Sequence, residues 1–275
     1  MSQVSSDSVL SLASYTSMTH IEIERQGSIA ILRLNRPDKF NSFNRAMAQE
    51  MQSALDECAH SKEIRAVVLI GNGKAFCAGQ DLQEVTGPDA PGFNTILSEG
   101  YNPIVSKIRG LNKPVIAAVN GVAAGAGANI ALCCDIVIAA SSASFIQAFS
   151  KIGLIPDSGG TFFLPRLIGF QKASALMMLG EKVSASQAES LGMIYQVVDD
   201  EQFADAWLKL AQTLSEMPTH GLALTKQALN SSLTNTFGEQ LILEEKLQIE
   251  AGHTADYKEG VNAFMEKRKP VFRGE

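Results

Sequence analysis

The sequence predicts an α/β fold that passes, beyond about residue 170, into a region made almost wholly of helix. Short runs with no polar residue, such as Ala66-Val67-Val68-Leu69-Ile70, have the composition of strands buried on both faces of a sheet. Segments with apolar residues at helical spacing fall between such runs, and the connections are short. That is the pattern of a right-handed α/β winding.

The elements follow in order. Ile21, Ile23, Ile29, Ile31 and Leu34 alternate, which predicts a hairpin turning at Gln26-Gly27 and closed by Asn35-Arg36-Pro37-Asp38. Met47, Met51, Leu55 and Cys58 recur at helical spacing and predict an amphipathic helix over 44–59. The buried strand Ala66 to Ile70 stops at Gly71-Asn72-Gly73. A helix is expected over about 93–110, then the apolar run Pro114 to Val119, a helix near 126–133 and a third buried strand from Asp135 to Ala139. Ala173 to Leu179, Ser186 to Leu191, Phe203 to Met217 and Thr219 to Ser232 read as helices, and Leu241 to Phe264 ends the chain with more helix. No linker or repeat is visible, so composition alone divides the chain into a leader (1–17), a core (18–200) and a helical C-terminal region (201–275). The leader is serine-rich and holds neither Lys nor Arg, unlike a secretory signal or a mitochondrial presequence. It reads as disordered, with Met18 as an alternative start.

Bulk composition narrows the function. With 45% hydrophobic and 19% charged residues this is an ordinary globular composition, and a cytoplasmic protein is expected. A net charge of −6 gives no general attraction to nucleic acid or to an anionic membrane. Any polyanionic ligand would need a local basic cluster. The longest apolar region, Val115 to Ala140, is broken by Asn120, Gly121, Gly125, Gly127, Asn129 and Asp135, so it is no membrane span. Cys58, Cys77, Cys133 and Cys134, with His20, His60, His220 and His253, show no metal-ligand spacing; no metal is expected, and the cysteines read as buried thiols.

Two loops carry the chemistry. Gly73-Lys74-Ala75-Phe76-Cys77-Ala78-Gly79-Gln80-Asp81-Leu82 follows a buried strand, and its small residues let a ligand approach the backbone. Asp81 is expected to cap a helix beginning after it, leaving free N–H groups, that of Gln80 among them, to face an anionic oxygen. Asn120-Gly121-Val122-Ala123-Ala124-Gly125-Ala126-Gly127-Ala128-Asn129 is a second such loop, where the N–H of Ala126 could face the same point. Each alone reads equally as an ordinary strand-to-helix turn. Together, two N–H donors converging on one oxygen would form an oxyanion hole. Neither phosphate-loop pattern is present.

In this order, with Asn35-Arg36-Pro37 upstream and Ile155-Pro156-Asp157-Ser158-Gly159-Gly160-Thr161 downstream, the loops resemble the signature of the crotonase (enoyl-CoA hydratase/isomerase) superfamily. The likeness runs from Thr19 to the end and includes Asp256-Tyr257-Lys258-Glu259-Gly260 through Phe264-Met265-Glu266-Lys267-Arg268. It implies a crotonase (ClpP-like) spiral of ββα turns, a helical C-terminal trimerisation region, and trimers or dimers of trimers. It also implies an acyl-CoA thioester substrate, with no further cofactor, whose carbonyl oxygen sits between the N–H groups of Gln80 and Ala126. The family's hydratases carry two glutamates, at positions that are Asn129 and Phe149 here. Neither exchanges a proton at neutral pH, which argues against addition of water. The remaining acid is Asp157, placed where an acid reaches the substrate in the family's isomerases and aromatic dehalogenases; read without the resemblance, it caps a helix equally well. The resemblance further sets Lys39, Ala78, Asp81, Leu82, Phe149, Phe264 and Lys267 around the thioester, the last two at the nucleotide end of CoA and from a neighbouring subunit.

Within the superfamily, Gly153 to Arg166, Ala143 to Lys151 and Met193 to Asp200 are similar to the phenylacetate-degradation isomerases, which convert ring-1,2-epoxyphenylacetyl-CoA to an oxepin-CoA. Δ3,Δ2-enoyl-CoA isomerisation, dehalogenation or hydrolysis through Asp157, and non-catalytic CoA binding remain as alternatives.

Overall fold

The computed structural model describes residues 16–86 and 90–275. The leader expected over 1–17 lies outside the described residues except for Thr16–Ser17, which form strand β1. With β2 (Ile21–Gln26) and β3 (Ile29–Leu34), β1 makes an antiparallel meander. Helix α1 (Arg45–His60) starts at Asn44, whose side chain accepts the N–H of Met47 at 2.9 Å, and buries Met47, Met51, Leu55 and Cys58.

The chain then winds. Strand β4 (Ala66–Gly71) enters a large sheet and β5 (Ala75–Cys77) a small one, followed by α2 (Phe93–Thr95), a π turn (Ile96–Tyr101) and α3 (Asn102–Gly110). The next unit repeats this with β6 (Val115–Val119), β7 (Val122–Ala124) and α4 (Ala126–Leu132). A third has β8 (Ile136–Ala140), β9 (Ser144–Ile146), a 3-10 turn (Ala148–Ile152) and α5 (Gly160–Ile168). Helix α6 (Phe170–Leu179), β10 (Lys182–Ser184), α7 (Ala185–Ser190) and β11 (Gln196–Val198) finish the spiral. Four helices end the chain: α8 (Phe203–Glu216), α9 (Thr219–Ser232), α10 (Phe237–Gly252) and α11 (Ala255–Met265).

The large sheet runs β1-β2-β3-β4-β6-β8-β11, parallel from β3 onward; the small sheet runs β10-β9-β7-β5, with β5, β7 and β9 parallel. Each ββα turn therefore adds one strand to each sheet. The fully buried Val67, Val68, Leu69, Ile116 and Ala117 lie at the centre of the core.

Three expectations need correction. The helix expected over 93–110 is interrupted by the π turn. Pro103 has no N–H for the carbonyl of Glu99, and that carbonyl accepts instead from Gln52 Nε2 at 2.7 Å. The stretch Leu241 to Phe264 is not continuous: α10 ends at Gly252, and Thr254 starts α11 by accepting the N–H of Tyr257 at 3.0 Å. No helix begins after Asp81, where residues 82–86 form turns and a bend.

The helical region is fastened to the core by buried charge. Lys226 of α9 meets Asp135 at 2.8 Å and donates to the carbonyls of Ile108 and Lys113. Arg109 of α3 joins Asp135 at 2.9 Å and also bonds Asn230 of α9. Among the described residues no helix is long and apolar enough to cross a membrane, and all four cysteines are buried and unpaired.

Candidate active site

Strands β5, β7 and β9 lie side by side, so the segments leaving their C-terminal ends are neighbours. Gln80 follows β5, Ala126 follows β7, and the chain after β9 leads through Gln147 and Phe149 to Asp157. The first two segments approach closely. Gly79 has φ +90, and a Cβ there would stand 3.4 Å from the Ala126 nitrogen and 3.0 Å from the Ala124 oxygen, so only glycine permits this approach. Among the described residues, no acceptor takes the N–H of either Gln80 or Ala126. Ala126 opens α4, where a free donor is expected of the first turn. An oxyanion requires free peptide donors of this kind, and the close approach at Gly79 brings the two segments that carry them together.

The first loop is held by side chains. The carboxylate of Asp81 is not a helix cap: Oδ2 takes Arg36 Nη2 at 2.8 Å, and Oδ1 takes the N–H of Gln83 at 3.1 Å. Burial raises its proton affinity, but Arg36 and that N–H outweigh it and hold the carboxyl below its usual range. Arg36 also donates to the carbonyl of Ser42 at 2.6 Å, so Asn35-Arg36-Pro37 braces the loop from outside. The Gln80 side chain is clamped at both ends. Its Nε2 donates to Glu84 at 2.9 Å, and its Oε1 accepts the Tyr101 hydroxyl at 2.9 Å. Tyr101 comes from the π turn; burial, with Cys77, Asp157 and Glu84 nearby, keeps its phenol neutral.

Asp157 sits at a tight turn before α5. Its carbonyl accepts the N–H of Gly160 at 2.8 Å and Asn129 Nδ2 at 2.9 Å. Asn129 Oδ1 in turn accepts Gln147 Nε2 at 2.8 Å. Gly160 is required here, because a Cβ would come 2.3 Å from Asn129 Nδ2. Asp157 Oδ1 accepts the Ser158 hydroxyl at 2.9 Å. Burial pushes its carboxyl above the usual range; the Ser158 hydroxyl and the residue's own N–H pull it back in part. Such a carboxylate can take up and return a proton closer to neutral pH than an exposed one.

The other expected residues fall into two groups. Phe149 is buried, with its ring tip 3.8 Å from the Cβ position of Gly125, and thus forms an apolar wall beside the Ala126 donor. Ala78 and Leu82 are exposed on the first loop, and Lys39 reaches across to Gln83 Oε1 at 3.0 Å. Phe264 and Lys267 are elsewhere within this chain. Phe264 is 82% exposed at the rim of a groove of about 420 Å³ between α9 and α11, with Tyr257 and Phe272. The sequence reading gave Asn129 no supporting role and gave Gln147 and Glu84 no place in the site, and it had Tyr101 only as the end of a stretch from Thr86 expected to line the pocket. Among the described residues no cluster of His, Cys, Asp and Glu could hold a metal ion.

A right-handed spiral whose ββα turns feed two sheets, ending in a helical C-terminal region, is the crotonase fold. The chain belongs to the enoyl-CoA hydratase/isomerase family, whose model matches residues 24–275, and is an enzyme of that family. It is 51% identical over 261 residues to the 1,2-epoxyphenylacetyl-CoA isomerase of Escherichia coli K12, covering 94% of this chain and 98% of that one. A Rhodobacter capsulatus protein named "Probable enoyl-CoA hydratase" is 45% identical over 92% of this chain and 98% of its own. The crystal structure of an enoyl-CoA hydratase from Bacillus anthracis superposes with a TM-score of 0.87 at 32% identity, over 93% of this chain and all of that one.

Proposed function

We propose that the protein isomerises an acyl-CoA thioester, with ring-1,2-epoxyphenylacetyl-CoA as the preferred substrate and an oxepin-CoA as product. The observation that carries the reading is a single desolvated carboxylate, Asp157, at the turn tied to α4, whose first N–H is unpaired. In this reading the thioester oxygen lies between the N–H groups of Gln80 and Ala126. Those dipoles stabilise the negative charge that develops when Asp157 removes a proton from the carbon beside the carbonyl. For the epoxide, loss of that proton lets the ring carbon–carbon bond bridged by the oxirane oxygen break, widening the six-membered ring to the seven-membered oxepin, and the same carboxyl returns the proton to another carbon of the extended conjugated system. The proton balance is zero, and no water is added. Asn129 and Phe149 support isomerisation over hydration, since one amide is spent on the Asp157 carbonyl and the other position is an apolar ring. The identity with the Escherichia coli isomerase supports the choice of acyl group.

The proposal includes a homotrimer or dimer of trimers, in which Phe264 and Lys267 of one subunit meet the CoA of a neighbour. Phe237, Ile242, Phe264 and Met265 are all at least 70% exposed on α10 and α11, an apolar surface suited to a second copy.

The test is turnover of the purified protein on ring-1,2-epoxyphenylacetyl-CoA and on a 3-enoyl-CoA, with Asp157→Asn beside it. Conversion of the epoxide that falls by about 10²–10⁴ in Asp157→Asn, with thioester binding retained, is expected. Turnover of the 3-enoyl-CoA alone would move the assignment to double-bond isomerisation of unsaturated acyl chains. Asp157-independent turnover would overturn the mechanism.

A further inference from the structure

The turn that presents Asp157 is built against local preference. Ser158 and Gly159 are both left-handed, at φ +51 and +77, and the N–H of Gly160 closes on the Asp157 carbonyl at 2.8 Å. This is the geometry of a type I′ turn, whose two central positions favour Asn-Gly. The second position conforms. The first carries a serine, one of only four non-glycine residues at positive φ among the described residues. Ser158 is also buried, at 2% exposure, so solvent does not select its hydroxyl. A strained, buried residue beside a candidate reacting group calls for a reason.

The hydroxyl supplies one. It donates to Asp157 Oδ1 at 2.9 Å, while no other residue donates to Asp157 Oδ2 among the described residues. The peptide behind the carboxylate is pinned separately by Asn129 and Gly160, so the turn fixes where the carboxyl group sits and the Ser158 hydroxyl restrains its rotation. We propose that Ser158 is a positioning residue that engages one oxygen of Asp157 and leaves Oδ2 as the oxygen that takes and returns the substrate proton. The inference rests on the reading of Asp157 as the acid–base group.

The charged and titratable surroundings leave this bond prominent. The π turn brings Tyr101, whose phenol stays neutral, and the first loop brings Cys77 and Glu84. Burial pushes the Cys77 thiol up to about 12. From α4 and the segment after β9 come the amides Asn129 and Gln147 and the ring of Phe149. Two cations on neighbouring helices are engaged elsewhere: Arg166 stacks on Phe162 at 3.8 Å, and Arg109 lies over Phe163 while paired with Asp135. No protein cation bonds the Asp157 carboxylate among the described residues, so a neutral hydroxyl is its side-chain partner.

A hydroxyl donated to a carboxylate favours the ionised form, so its removal raises the proton affinity of the base. The base acts only when ionised, and the acid limb of the rate profile must then move upward. The experiment is the pH profile of kcat/KM for wild type, Ser158→Ala, Ser158→Gly and Asp157→Asn, on whichever of the epoxide and the 3-enoyl thioester turns over, with melting temperatures alongside. Expected is an upward shift of about one pH unit in the acid limb of both serine variants, with KM nearly unchanged. Glycine suits the left-handed position, so Ser158→Gly stays folded even where alanine fails. An unmoved acid limb in Ser158→Gly, or a shift in the alanine variant alone, overturns the role of the hydroxyl. If Asp157→Asn keeps full activity, or wild type converts neither thioester, the reading of Asp157 itself falls, a result distinct from the first.

Discussion

Gly160→Ala is the sharpest test of how the Asp157 turn is held. At the first position of an exposed helix, alanine in place of glycine is ordinarily neutral or favourable, by up to about 1 kcal/mol. Here the new Cβ would stand 2.3 Å from Asn129 Nδ2, 2.6 Å from its Cγ and 2.8 Å from its Oδ1, all inside contact distance. Asn129 is 1% exposed and bonded at both ends of its amide, so it has no free direction in which to swing. Relief requires breaking one or both of those hydrogen bonds, at about 0.5–1.5 kcal/mol each, or shifting α5 against α4, at about 1–3 kcal/mol. The expected loss is about 1–3 kcal/mol, or about 2–10 °C in melting temperature for a chain of this size. Because Asp157 is carried on the same turn, a displacement near 1 Å should lower kcat/KM by about 10². Thermal unfolding and kcat/KM measured on one preparation give both numbers. Gly238→Ala in α10, where nothing lies within 4 Å of the Cβ position, is the control for a generic glycine effect. A Gly160→Ala protein that melts and turns over like wild type would refute the tie between α4 and the Asp157 turn.

Further outcomes follow from the same geometry. Burial raises the proton affinity of Asp157 above that of the unfolded chain, so this group favours the fold below its folded pKa, and the contribution is lost as pH rises through it. Asp157→Asn should therefore raise the melting temperature at neutral pH while lowering turnover by about 10²–10⁴, and lose the stabilisation that wild type gains on acidification toward its unfolded value of 3.8; melting curves from pH 4 to 8 decide the sign. Lys226→Met leaves the carbonyls of Ile108 and Lys113 unpaired and removes one of two cations from Asp135, with an expected cost of about 3–5 kcal/mol in denaturant unfolding. Burial pushes the thiols of Cys58 and Cys77 up to about 12, so native protein should resist alkylation at pH 8 while unfolded protein labels at all four cysteines, as read by mass spectrometry. Arg36→Ala leaves the buried Asp81 carboxylate without its cation; the first loop should loosen, and KM for the thioester should rise, in steady-state kinetics.

The long elements were legible because their signals are long. The hairpin 21–34, helix α1 and helix α9 carry full periods of apolar residues, and they lie within a residue or two of their expected bounds. The second-layer strands β5, β7 and β9 have three residues each, too few for periodicity to register; only the family resemblance implied them. Pro103 was in plain view, yet the π turn it accompanies depends on Gln52, a side chain of another helix, supplying the missing donor. Around the site, the donors at Gln80 and Ala126 could be suggested from glycine-rich loops. The work of Asn129 could not. Its amide became meaningful only when folding brought the Asp157 carbonyl to 2.9 Å, across 28 positions of sequence.

The small sheet has a consequence for how such a site can change. The Gln80 and Ala126 nitrogens follow adjacent strands, and the spacing of adjacent strands is fixed at about 4.8 Å by the hydrogen-bond ladder itself. These two groups belong to the main chain, so no substitution short of proline removes them. The neighbouring residues Asn129, Phe149 and Asp157 are ordinary side chains on separate segments, each replaceable by a single codon change without disturbing that ladder. In the proposed reading, a scaffold divided in this way would keep its grip on the thioester oxygen constant while the proton-handling groups around it are exchanged.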